Sequence, residues 1–290
     1  MQEHYIKNIE IKNFKCFENF KAEGFGRVNL IAGKNNVGKT AFMEACYLIQ
    51  NNPEINLKLK HITRMRYMAD ILEDLFKEIG KKFINNFIEE KSNTHNNYQI
   101  TSNIEDSKVN ILFKSSNKST KKNYNEYYGE IIDNELEDKL DDYIKEFDSN
   151  ITKFRMKESQ PFCQKNGKFY NINEFGDGLG KFISLILLVL SSKDNILLID
   201  EIDNGIHYTN LDKLWEIILK ISKEQNVQVF ATTHSKECIE SYARVAKRLE
   251  DEEITMTTLA RNPKGELKAL VWNKRQFFSE IEQNHEVRGW

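Results

Sequence analysis

The chain predicts an α/β fold with a mainly parallel core sheet, and three observations carry that expectation. Arg27–Ala32 (RVNLIA) is a compact apolar strand that runs into a glycine-rich loop and then a helix, Thr40–Gln50. Asn195–Asp200 is a second apolar strand, preceded by the apolar helix Phe182–Ser191 and followed by the helix Leu211–Lys223. Val227–Thr232 is a third. Strands alternating with helices favour parallel neighbours joined by crossovers.

The remaining elements follow in chain order. Tyr5–Phe14 alternates apolar and polar residues, and Phe17–Phe20 continues after a short turn, which predicts an antiparallel β part at the N-terminus. Leu57–Lys91 repeats apolar residues near 3.6-residue spacing and reads as a long helical stretch. Tyr98–Phe113 reads as two strands, Lys114–Asn123 as a polar, basic loop, and Asn134–Phe147 as a charged amphipathic helix. Ile151–Met156, Pro161–Gln164 and Phe169–Ile172 are three further strands, the last two joined by the hairpin signal Asn166-Gly167. Ile254–Leu259 and Leu267–Trp272 pair across Asn-Pro-Lys-Gly, and Lys274–Gln283 closes the chain as a short helix. The texture divides the chain into a core, 1–50 with 151–290, and an insertion, 51–150, mainly helical with some strand.

Composition narrows the class. A chain of 290 residues, 40 % hydrophobic and 30 % charged, can bury a real core. The 4 cysteines are scattered without CxxC or Cys/His ligand spacing, which argues for reduced thiols in the cytoplasm and against a zinc site. No basic stretch followed by an apolar one opens the sequence, and the longest apolar run, Phe182–Leu190, is too short for a bilayer. No membrane partner is therefore expected. A net charge of −2 gives no bulk attraction for nucleic acid, so DNA binding would need a local patch.

Three segments carry chemistry. Gly33-Lys34-Asn35-Asn36-Val37-Gly38-Lys39-Thr40 fits GxxxxGK[ST], between a strand and a helix. A triphosphate needs many donors packed closely, and backbone N–H groups supply them only where side chains are absent, hence Gly33 and Gly38. Asn35, Asn36 and Val37 lend their backbone to the same cradle, Lys39 a cation, and the Thr40 hydroxyl a Mg²⁺ ligand. Ile196-Leu197-Leu198-Ile199-Asp200-Glu201 would deliver Asp200 to the end of a buried strand beside that loop, as the second metal ligand. Glu201 is then the candidate general base for the attacking water. Phe230-Ala231-Thr232-Thr233-His234-Ser235 ends another buried strand with His234, a candidate contact for the terminal phosphate. ATP with Mg²⁺ is the expected ligand pair.

Taken in order, IKNIEIKNFKCF, GKNNVGKT, EFGDGLGKFISLILLVL, NILLIDEIDNGIH and VQVFATTHS cover about half the chain. In that order they resemble the ABC-type P-loop ATPases of the RecF, structural-maintenance-of-chromosomes and OLD-like group, and among these the stand-alone members often labelled AAA-family. The resemblance implies an ABC-type head. It implies that Gly176, Asp177 and Gly178 act as a signature motif for ATP held by a second copy, giving a head-to-tail homodimer with ATP at the seam. Asp203-Asn204-Gly205 would lie across that seam, and His234 would be the switch histidine. The signature usually has Ser where this chain has Gly176, and the Q-loop glutamine stays unplaced, with Gln50 and Gln99 candidates by count only.

About 55 residues follow His234, too few for the Toprim nuclease of OLD-family chains. Residues 51–160 lack the sustained heptads of coiled-coil heads. The expected function is an ATP-hydrolysing dimer that regulates an effector protein encoded nearby or DNA, with antiphage defence or DNA maintenance as the implied setting. A nucleotide-locked scaffold that binds ATP without turnover is the alternative. Lys58, Lys60, Arg64, Arg66, Lys81, Lys82, Lys114, Lys118, Lys121 and Lys122, followed by Tyr124, Tyr127 and Tyr128, read either as a nucleic-acid surface or as solvated faces.

Overall fold

The computed structural model describes residues 5–49, 99–104, 109–114, 121–283, 285 and 287. The long helical stretch expected at 57–91 lies outside them. The N-terminal sequence pairs β1 (Asn8–Phe14) with β2 (Phe17–Glu23) antiparallel, and β4 (Gln99–Ser102) adds to the other side of β1. Alternating Ile9, Ile11 and Phe14 with Phe17 and Phe20 gives this small sheet one apolar face, as a half-buried sheet requires.

The main sheet has six strands in the order β12-β11-β3-β10-β9-β5. Its members are β3 (Val28–Gly33), β5 (Ile111–Lys114), β9 (Ile196–Ile199), β10 (Gln228–Thr233), β11 (Ile254–Arg261) and β12 (Leu267–Asn273). All neighbours are parallel except β11 and β12, which form the predicted hairpin at the edge. β3, β9 and β10 are buried along their whole length, because both faces are covered. Leu30, Leu197 and Val229 face one layer, and Ile31, Leu198 and Phe230 the other.

The second layer holds α1 (Lys39–Leu48) and the small antiparallel sheet. The first holds α4 (Asp177–Leu190), α5 (Leu211–Glu224) and α6 (Lys236–Arg248). α4 is apolar on nearly every side, with Phe182 through Leu190 all buried, so it must lie inside rather than on the surface. α7 (Lys274–Glu282) begins on an Asn273 capping box and seats Phe277 against the same layer.

Two strands from the stretch 51–150 belong to these sheets: β4 to the small one and β5, beside β9, to the main one. The loop expected at Lys114–Asn123 is corrected at both ends. Lys114 is the last residue of β5, and α2 (Lys121–Asp133) begins at Lys121. Tyr124 and Tyr128 on α2 are buried with Ile131 against Phe154, and Tyr127 is partly buried on the same core. They serve packing and present no surface for nucleic acid. α3 (Glu137–Phe147) follows, three residues later than the predicted start. Its Asp141 accepts from Phe154 N and from Arg155, fastening it to the three-stranded antiparallel sheet β6 (Ile151–Lys157), β7 (Gln160–Lys165) and β8 (Lys168–Asn171).

Candidate active site

The C-terminal ends of β3, β9 and β10 meet on one side of the sheet, and each hands over to a polar turn. After β3 the chain enters the loop Lys34–Gly38 and then α1. A Cβ on Gly33 would lie 2.6 Å from Val37 Cγ1 and 2.8 Å from the Leu259 carbonyl, so only glycine lets the loop close here. Gly38 begins α1 with φ +115°, a conformation that favours glycine. Asn35 and Asn36 are exposed, Asn36 with φ +59°, and Val37 is buried beneath them.

Lys39 folds back over this loop, its Nζ donating to Gly33 O at 2.8 Å and Lys34 O at 3.0 Å. Burial lowers its pKa, opposed by the nearby charges of Asp200, Glu201 and Asp203. A cation held by neutral carbonyls, within reach of three carboxylates' fields, is a strong anchor for an anion entering the loop.

Thr40 and Asp200 come together across 160 residues, Oγ1 to Oδ2 at 3.1 Å. The other Asp200 oxygen accepts from Thr232 Oγ1 at 2.6 Å, and Asp200 N donates to Lys114 O at 2.9 Å. Among the described residues this buried carboxylate has no basic ion-pair partner. Glu201, next along, turns sharply with φ +52°, and its N–H donates to the same Thr232 Oγ1 at 2.8 Å. Thr233 Oγ1 donates to Asp203 at 2.7 Å and accepts from Ser235 N. Thr232 and Thr233 thus organise both carboxylate turns, roles that sequence reasoning missed. Two threonines closing a buried strand beside an Asp-Glu strand end were the available signal.

His234 follows directly, exposed and without a hydrogen bond among the described residues, just before Ser235 caps α6. Gly176, Asp177 and Gly178 sit elsewhere. They open α4, where Gly176 needs glycine for its φ of +85°, and a Cβ on Gly178 would come within 3.3 Å of Gly205 O. Lys181 Nζ donates to Asn204 Oδ1 at 3.3 Å across the same contact. The glycine-rich turn therefore packs on Asp203–Gly205 of its own chain, with Gly176 and Asp177 exposed. Gln99 lies on β4 of the small sheet, and the strand end beside Asp200 carries Lys114 instead. Gln50 lies outside the described residues.

No group of three or more His, Cys, Asp or Glu side chains among the described residues could hold a metal ion unaided. Asp200 and Thr40 offer two adjacent oxygens, which fits a magnesium ion sharing its ligands with phosphates and water. No described helix is long and apolar enough to cross a membrane.

A phosphate-shaped loop at the end of a parallel strand, with Thr40 and Asp200 joined beside it, defines a P-loop ATPase, here with the ABC-type head fold. The chain belongs to the family described as "AAA domain, putative AbiEii toxin, Type IV TA system", whose profile matches residues 28–240. It is similar to an ATP/GTP phosphatase of Helicobacter pylori, 25 % identical over 329 residues that span 83 % of this chain and 88 % of the relative. Its fold is similar to the head domain of SMC from Thermotoga maritima, with TM-score 0.53 and 14 % identity, covering 92 % of this chain and 98 % of that one. An SMC head bound to the C-terminal winged-helix domain of ScpA is likewise similar, with TM-score 0.55, 13 % identity and coverage of 93 % and 98 %.

Proposed function

We propose that the chain binds ATP with Mg²⁺ on Gly33–Thr40 and hydrolyses it with Glu201 as general base. The observation that carries this reading is the Thr40–Asp200 hydrogen bond, which joins two distant motifs at one strand end. The backbone of Asn35–Lys39 receives the phosphates, and Lys39 turns from the loop carbonyls toward the β/γ-phosphate charge. Thr40 and Asp200 would hold the metal, which would supply neutralisation of phosphate charge. Glu201 takes the proton of the attacking water, and His234 contacts the terminal phosphate.

A second copy of the chain completes the site. The glycine-rich start of α4, with Gly176 and Asp177 exposed, supports a head-to-tail dimer in which it meets nucleotide held by the partner subunit. The core comprises 1–50 and 151–290, with 51–150 as an insertion that lends β4 and β5 to its sheets. The family description, which names a toxin of a toxin–antitoxin system, supports an effector or partner protein as the output, in antiphage defence or a related setting.

Glu201→Gln is the test. It keeps the shape and removes the base, so phosphate release should fall by about 100-fold or more. ATP affinity, read by calorimetry, should stay within about threefold. Wild-type turnover by this variant would remove Glu201 from the role. A chain that binds ATP tightly and releases no phosphate even as wild type would instead be a nucleotide-locked scaffold, a reading favoured by Gly176 in place of a signature serine.

A further inference from the structure

Lys181 departs from what its own helix favours. It stands in α4 four residues after Asp177, the interval and order at which an acid and a base pair readily along a helix. Among the described residues that pair is not made. The Lys181 ammonium donates instead to the neutral Asn204 Oδ1 at 3.3 Å, and Asp177 stays exposed. Lysines without a carboxylate are ordinary on an open surface, but this one is partly buried and laid across backbone. A Cβ on Gly205 would collide with its ammonium and lie 2.6 Å from its Cδ, so the stem rests on a residue that has no side chain.

Two ammonium groups and a helix end come together here. Side chains on a helix lean toward its N-terminus, which carries the Lys181 charge back over the opening turn of α4. Gly178 of that turn packs on the Gly205 carbonyl, so turn and ammonium share one neighbour. Lys114 lies close enough to feel Lys181. It donates to Ser184 Oγ on α4, and its pKa is lowered to about 8, first by burial and further by the Lys181 charge. An anion relieves like charges held together in this way. The loop after β3 has the same parts: Gly38-Lys39 at a helix start, with the ammonium resting on neutral oxygens.

We infer that the Lys181 ammonium binds the terminal phosphate of the nucleotide held by the partner subunit. The inference deepens the dimer reading above and rests on it. Lys39 grips the phosphates from the subunit that holds them, and Lys181 meets them from the other side of the seam, where Gly176 has no side chain to offer. Asn204 is the resting acceptor, and a neutral oxygen releases an ammonium at less cost than a carboxylate would.

The test measures phosphate release by the full chain with ATP and Mg²⁺. Lys181→Met keeps the stem and removes the charge, so turnover should fall by about 100-fold. Its ATP affinity in calorimetry should stay within about threefold, because its own phosphate loop is intact. Mixed in equal amounts with Lys39→Ala, it should recover about a quarter of the wild-type rate. About half of the dimers are then mixed, and each has one complete site: the Lys181→Met chain holds ATP and the Lys39→Ala chain supplies Lys181. Sedimentation with ATP and Mg²⁺ reads the same contact without turnover, and Lys181→Met should need about tenfold more protein to associate. Where the wild type turns over, two results would overturn the inference. One is no recovery from the mixture although Lys181→Met still binds ATP; the other is turnover of Lys181→Met alone within about threefold of wild type. Association of Lys181→Met as tight as wild type, or no ATP-driven association of the wild type, would overturn it whatever the turnover. A wild type that associates on ATP and releases no phosphate would sink the catalytic reading alone, with Lys181 still decided by sedimentation.

Discussion

The core strands carry buried polar residues at both ends, and the two ends treat them differently. Where β3, β10 and β11 begin, every such group is consumed by its neighbours. Asn29 accepts from Gly26 N and Thr255 Oγ1 while donating to Gly26 O and Val229 O. Gln228 accepts from Ile6 N and donates to Ile6 O and Gly26 O. Arg27, 3 % exposed, pairs with Asp251, meets Glu253 at 3.2 Å and reaches Ser222 and Leu219 O. Where β3, β9 and β10 finish, among the described residues the Lys39 ammonium has only borrowed loop carbonyls and the Asp200 carboxylate only hydroxyls and no ion-pair cation. A saturated end stabilises the fold, whereas an end with charge in reserve can accept a ligand. The same strands thus separate stability from function along their own axis.

Substitutions at the two ends should therefore separate. Arg27→Ala leaves two carboxylates without their buried cation and should cost about 3–5 kcal/mol in urea unfolding. The folded protein should keep its ATP affinity, and a parallel loss of affinity would break the distinction. Lys39→Ala should do the reverse, lowering ATP affinity by about 100-fold in calorimetry while the unfolding midpoint stays close to wild type. Thr232→Val sits between the classes and should have the smallest effect. It removes one hydroxyl under both carboxylates, so turnover should fall by about tenfold with about 1–2 kcal/mol of stability lost. A turnover unchanged by Thr232→Val would show that strand geometry alone holds Asp200 and Glu201.

The functional end was far more legible in the sequence than the saturated one. The segments Gly33–Thr40 and Asp200–Glu201, which Thr40 and Asp200 join, stood out because the phosphate and metal chemistry proposed for them demands particular residues at fixed local spacing. Nothing local marks Gln228, or the bonds of Asn29 to Val229 and Thr255, because those partners lie about 200 residues or more away and meet only once β3, β10 and β11 are adjacent. The parallel pairing of β11 with β3 was hidden for the same reason, although its hairpin with β12 was visible. α2 was missed because its asparagines, Asn123 and Asn125, and its internal Gly129 weaken helix propensity. Tyr124, Tyr128 and Ile131 do keep the helical interval, but the lysines that precede the tyrosines suggested a surface. The helix predicted from Phe182 already begins at Asp177 as α4. A glycine-rich first turn has low propensity, and packing against Gly205 supplies what propensity lacks.

One oxygen gives this arrangement a mechanical property. Thr232 Oγ1 spends its single proton on the Asp200 carboxylate and a lone pair on the Glu201 amide, so the two residues hang from one pivot. Any tug on the first carboxylate rotates the hydroxyl and is felt in the backbone carrying the second. The two neighbouring carboxylate positions therefore share one hydroxyl as their common support.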